Sequence, residues 1–194
     1  MKLNNKYFLL RHGQTIYQKE NRKINYDALE NPVISLTDEG KQMVSDSAEK
    51  LEGKNINLIF SSPYLRTKQT AEIAAKIIGV EKINYDERLI DINLGKFMGR
   101  SMDESFEFYM AGNKKFDNRP EGGESWNDIL QRVKNFLEDV EKKYKNETIL
   151  IVSHADPIWL MAGCLRCYKN VDAYFEARKK RENSYPKLAQ IIEI

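Results

Sequence analysis

The sequence predicts an α/β fold, a three-layer sandwich with a mostly parallel central sheet and helices on both faces. Three observations lead there. Short apolar runs alternate with helical patterns along the chain, as β-α units require. One run, Thr148-Ile149-Leu150-Ile151-Val152, is continuously apolar and mostly β-branched, as a strand covered on both faces must be. The composition is 41% hydrophobic and 31% charged over 194 residues, which suits a folded chain with a sizeable core, one domain over 1–194.

The elements follow in order. Asn5 to Leu10 reads as the first strand, ending in Arg11-His12-Gly13. Gln18 to Pro32 is polar and without period, the mark of a functional loop. Thr37 is the expected N-cap of a helix reaching Leu51, with Val44, Ala48 and Leu51 inward and Gly53 after its end. Asn57 to Ser61 is the second strand. Ser62-Pro63 then opens a helix, serine as N-cap and proline first inside, with Ala71, Ala74, Ala75 and Ile78 on one face and Gly79 as stop.

Lys82 to Tyr85 is a short strand, and Leu89 to Gly99 is irregular. Ser101 to Met110 is a weak helix, and 113–123 a polar loop ending in a Pro120-Glu121-Gly122-Gly123 turn. Ser125-Trp126-Asn127-Asp128 is a capping box. The helix it opens aligns Trp126, Ile129, Val133, Phe136, Leu137, Val140 and Tyr144. Asp156-Pro157 reads as N-cap and first position of a helix to Leu165, and Ala189 to Ile194 as the last strand.

Several function classes drop out. A formal net charge of +2 is too balanced to argue for nucleic acid. No apolar run approaches the roughly 20 residues of a membrane span, and the N-terminal apolar run is too short for a signal peptide, so no membrane partner and a cytoplasmic location are expected. The two cysteines, Cys164 and Cys167, lack the second pair that a zinc site needs and read as reduced thiols. Monomer and homodimer both stay open.

The chemistry concentrates at strand ends, where ligands of α/β folds sit. Arg11-His12-Gly13 alone also fits a basic strand end facing water. However, the chain has two histidines, and both follow apolar strands, His12 the first and His154 the Thr148–Val152 run. Arg66 falls in the first turn of the helix after Ser61-Ser62-Pro63. Arg11, His12, Arg66 and His154 can therefore meet on one rim, a set that suits a phosphoryl dianion. An imidazole kept neutral by flanking arginines can attack phosphorus, and a carboxyl group near the anion can protonate the leaving oxygen.

These residues carry a resemblance. Leu10-Arg11-His12-Gly13-Gln14-Thr15 resembles the hallmark motif of the histidine phosphatase superfamily, phosphoglycerate mutase-like branch. Leu36 to Gly40, Ser61 to Ala71, Glu87 to Gly95, Gly122 to Ser125 and Val152 to His154 resemble that branch's further motifs in the right order. The resemblance implies a phosphoglycerate mutase-like fold and a phosphatase acting on small phosphorylated metabolites, with no metal and no organic cofactor. By position, His12 is the phosphorylated nucleophile and Asp91 the proton donor. Arg11, Arg66, His154 and Gln18 bind phosphate, and Gly13, Thr15 and Glu124 support them, the glutamate near His12 or an arginine. The alternatives are mutase-type phosphoryl transfer and a catalytically silent phosphate-binding module.

The chain departs from the family pattern at several points. Asp91 is one methylene shorter than the usual glutamate, with Glu87 as substitute donor. Gln18 stands for an asparagine, and Ala155-Asp156 for two glycines, Asp156 serving as helix N-cap or disfavouring strongly anionic substrates. Phe97-Met98-Gly99 replaces a tryptophan-acid-glycine. Arg22, Lys23, Lys114 and Lys115 read as loop surface charge, with a second anionic group of the substrate as the other role. The Arg178-Lys179-Lys180-Arg181 run reads as a solvated helix end or loop, and Asn183 as structural. Trp126 and Trp159 are expected in the core.

Overall fold

A computed structural model describes residues 3–179 and 185–194. Lys180, Arg181 and Asn183 lie outside the described residues. Five strands form one sheet: β1 (Lys6–Arg11), β2 (Leu58–Ser61), β3 (Ile83–Tyr85), β4 (Thr148–Ser153) and β5 (Ile191–Glu193), in the order β3-β2-β4-β1-β5. β1, β2, β3 and β4 are parallel, and β5 closes the edge antiparallel to β1. The fold class is the one the sequence predicts.

Seven α-helices are described: α1 (Ile16–Lys19), α2 (Asp38–Ala48), α3 (Leu65–Ile78), α4 (Met102–Met110), α5 (Trp126–Lys143), α6 (Ala155–Leu165) and α7 (Val171–Lys179). Strand side chains alternate between the faces. Tyr7, Leu9, Ile149 and Ile151 meet α5 and α6 in one core that includes Trp126 and Trp159. Phe8, Leu10, Ile59, Leu150 and Val152 meet the alanine face of α3 and Ala48 of α2 in the other. β4 is buried on both faces, which its unbroken apolar run demanded.

Two helix starts differ from expectation, and the physical reason is shared. α3 begins one residue after Tyr64, its N-cap, and not at Ser62-Pro63. Ser62 Oγ lies 2.9 Å from His154 Nε2, so its hydroxyl serves the rim of the sheet. α6 is capped by His154, and Asp156 sits inside its first turn. Short polar side chains suit caps and ligand sites alike, so sequence position alone did not separate the two duties. Arg66 remains in the first turn of α3.

Arg178 and Lys179, read from the sequence as part of a solvated helix end or loop, are the last residues of α7, which packs on α6. Arg178 lies over the rings of Trp159, at 4.7 Å, and Tyr185, at 4.3 Å. Gly163 on α6 makes this docking possible, since an added Cβ would stand 2.1 Å from the Tyr174 ring.

Candidate active site

The register of the sheet builds the site. Arg11 pairs with Ser153 and Ser61 with Val152, so β1, β4 and β2 end level with one another. The residues that follow, His12, His154 and Ser62, emerge side by side. The His12 and His154 rings lie 5.3 Å apart, centroid to centroid, close enough for one tetrahedral anion to touch both. Both imidazoles are buried.

His12 Nδ1 is 2.8 Å from the carbonyl oxygen of Gly13. A carbonyl only accepts, so Nδ1 carries the hydrogen and Nε2 keeps its lone pair. Burial drives the His12 pKa well below the usual histidine value, and the Arg66 and Arg11 charges push it the same way. His154 is likewise held well below the usual value, by burial first and Arg66 second. Both rings are therefore neutral near pH 7.

Arg66 is fully buried and heavily held. It donates to the backbone oxygen and the side-chain oxygen of Asn31, and Nη2 reaches Asp91 Oδ2 at 3.0 Å. Its guanidinium lies 4.4 Å from the Tyr26 ring centroid. Asp91 Oδ2 is also 3.6 Å from His154 Nδ1, and its Oδ1 accepts from the Ile92 amide. A cavity of about 360 Å³ opens over this cluster, lined by Arg11, His12, Gln18, Asp91 and Asp156 among others. Arg66 and His154 are fully buried and not in its wall, and Asp91 Oδ2 contacts both. Glu87 is exposed and does not line it, which removes the substitute donor.

Gln18, expected from the sequence to bind phosphate, and the expected supporting residues Gly13, Thr15 and Glu124 have specific partners. Gln18 spends its side-chain oxygen on the Thr15 amide and hydroxyl and donates to Tyr26 through Nε2. Glu124 meets an arginine, but it is Arg132, at 2.9 Å. Arg132 in turn donates to the backbone oxygens of Arg88 and Asp91, so the pair anchors the acid loop from behind. Gly13 is needed for packing, since a Cβ there would stand 2.4 Å from the Gly40 carbonyl oxygen. Arg22, Lys23 and Met98 line the cavity, whereas Lys114 and Lys115 do not. Sequence reading missed Tyr26, Asn31, Arg132 and Tyr185, the first two inside the aperiodic loop where no pattern pointed to them.

Among the described residues, five buried polar side-chain atoms lack a hydrogen-bond partner: Arg11 Nε, Arg66 Nε, His154 Nδ1, Asp156 Oδ1 and Arg178 Nη1. All belong to this rim or adjoin it. Orphaned buried donors are costly, and a ligand that accepts from them relieves that cost. Three of the five surround His12 and suit an anion. No group of three or more histidine, cysteine or acidic side chains fit to hold a metal occurs among the described residues. No helix among them is long and apolar enough to cross a membrane.

Comparisons with known proteins place the chain in a family. The family model for the histidine phosphatase superfamily, branch 1, matches residues 7–174. The chain belongs to the histidine phosphatase superfamily. This histidine phosphatase is 33% identical to phosphoserine phosphatase 1 of Hydrogenobacter thermophilus over 161 residues, 80% of the chain and 74% of the relative. It is 31% identical to the probable phosphoglycerate mutase GpmB of Salmonella choleraesuis over 163 residues, 81% of the chain and 71% of that relative. Among solved structures, Bacillus stearothermophilus YhfR superposes with a TM-score of 0.76 at 24% identity, covering 96% of this chain and 89% of the other.

Proposed function

We propose that the protein hydrolyses small phosphomonoesters through a phosphohistidine on His12, with Asp91 as proton donor. The observation that carries this is the pairing of two neutral imidazoles 5.3 Å apart with orphaned guanidinium donors beside them. The phosphoryl oxygens accept from Arg11, Arg66 and His154, taking the place Asp91 holds beside the last two. His12 Nε2 attacks phosphorus, the N–P bond forms and the ester P–O bond breaks. The leaving oxygen takes a proton from the Asp91 carboxyl group. Water then attacks phosphorus and returns a proton to Asp91. The N–P bond breaks, and inorganic phosphate leaves with His12 neutral again. The arginines supply the electrostatic stabilisation.

The relatives bear the names of a phosphoserine phosphatase and a probable phosphoglycerate mutase, which supports a small phosphorylated metabolite as substrate. The test is hydrolysis of an aryl phosphate by wild type and His12→Ala, with rapid quenching to trap an acid-labile phosphoryl adduct. The wild type forms the adduct and releases phosphate. His12→Ala forms none and loses several orders of magnitude in rate, at about 1.4 kcal/mol of barrier per tenfold. Equal turnover by the variant overturns the assignment. Isomerisation of a phosphoglycerate faster than phosphate release points to mutase chemistry instead.

A further inference from the structure

A guanidinium presents its N–H bonds along two forked edges, Nη1 with Nη2 and Nη2 with Nε, and only one of them can face a given anion. In Arg66 the first edge is taken by Asn31. The Asn31 backbone oxygen accepts from Nη1, and its side-chain oxygen accepts from Nη2 at 2.9 Å. The second edge is kept differently. Nη2 spends its other hydrogen on Asp91 Oδ2 at 3.0 Å, and Nε beside it is buried without a partner. Arg66 has no exposed surface, so this division of its donors is fixed by the protein and not by solvent.

Asn31 is itself anchored. It is buried, and its amide donates to the Asp27 carbonyl oxygen at 2.8 Å. The next residue, Pro32, accepts from the Leu65 amide at 2.9 Å, at the first residue of α3. The loop is thus clipped to the same turn that carries Arg66. The Tyr26 ring, 4.4 Å from the guanidinium carbon, covers the plane. Both oxygens that Asn31 offers are neutral. They set the direction of the guanidinium without cancelling its charge, as a carboxylate at that place would.

We propose that Asn31 is a positioning residue for phosphoryl binding: it holds the Nη1–Nη2 edge of Arg66 so that the Nε–Nη2 edge faces the site. This rests on the reading above in which Arg66 binds the phosphoryl group. Asp91 serves one nitrogen of that edge, whereas a phosphoryl group brings two oxygens and serves both, including the orphaned Nε.

The test is a double-mutant cycle on the dissociation constant of vanadate, a tetrahedral oxyanion, read by calorimetry. With Arg66 present, Asn31→Ala should raise that constant at least tenfold. In the Arg66→Lys protein the cation is a point charge with no edge to aim, and the same substitution should change it less than twofold. A merely structural role costs the same in both backgrounds. Asn31→Asp keeps the shape and the acceptor but adds a charge, so it should keep the melting temperature and still weaken vanadate binding tenfold or more. Equal losses in the two backgrounds, or no loss with Arg66 present, overturn the assignment. If Asn31→Ala fails to fold, Asn31→Asp decides, and a constant within twofold of wild type overturns it. Vanadate bound by wild type without turnover of an aryl phosphate would instead sink the phosphatase reading and leave the role of Asn31 standing.

Discussion

Asp91 is the side chain on which the proposed chemistry turns, because that proposal asks one carboxyl group to serve two positions. It bonds Arg66 at 3.0 Å and stands 3.6 Å from His154 Nδ1, where phosphoryl oxygens are proposed to bind. In the proposed mechanism an incoming phosphoryl group displaces it from the arginine and leaves it beside the ester oxygen. The short aspartate side chain suits this because the loop carrying it is pinned close, by Arg132 on the Asp91 carbonyl and by Ser153 Oγ on the Leu89 carbonyl. If Asp91 protonates the leaving group, Asp91→Asn should slow alkyl phosphates by two or more orders of magnitude and nitrophenyl phosphate far less. The check is log kcat/KM against leaving-group pKa, with a steeper dependence in the variant. An equal loss for every leaving group would mean that Asp91 only binds. His12, His154, Arg11, Arg66 and Asp91 were all legible in the sequence, because each sits at a fixed step from a strand or inside a motif. Asn31, Tyr26 and Arg132 were not, since their partners are fixed by how loops fold back over the rim.

The strand ends hold the histidines only if the turn after β1 is seated against α2. Gly13 and Gly40 make that contact with almost no space between them: a Cβ on Gly40 would stand 2.1 Å from the Gln14 carbonyl oxygen. Backbone lies on both sides, so neither can yield cheaply. Gly40→Ala should cost on the order of 1–3 kcal/mol and move the His12 turn. Its melting temperature should fall, and aryl phosphate kcat should fall with it. A variant with full stability and activity would show that the turn has slack. The same contact explains what was readable at this level. Period and caps located α2, α5 and the strands, because burial and end effects act within a single segment; Thr37 and the Ser125–Asp128 box cap as expected. The starts of α3 and α6 were misplaced, because Ser62 and Asp156 answer to partners in other segments. Most of α7 carries no signal in the sequence, because its inner residues meet an aromatic cluster, with Phe116 and Trp159 against Tyr174, and no simple stripe.

The molecule as a whole carries the cost of keeping both of its histidines buried and neutral. In the unfolded chain each titrates near 6.5, whereas in the folded protein each is held well below that. As pH falls below 6.5 the unfolded state takes up protons that the folded state refuses, so stability is lost on acidification. The full contribution is present above the unfolded value and disappears toward the lower folded value. Between pH 6.5 and 5.5 the loss is about 1 kcal/mol for each histidine, about 2 kcal/mol together. Asp156 works in the opposite sense, because burial raises its pKa from 3.8 and the folded state then binds the extra proton. Removing that titration should sharpen the histidine effect. Denaturant unfolding of wild type and Asp156→Asn across this range provides the measurement. Wild type should lose stability on acidification, and the variant should lose at least as much. Following the imidazole resonances by NMR should find neither ring titrating near 6.5. If stability is flat from pH 6.5 to 5.5 in the variant, at least one imidazole is charged in the folded protein, and the neutral nucleophile at His12 has to be abandoned or His154 recast as a cation beside Asp91.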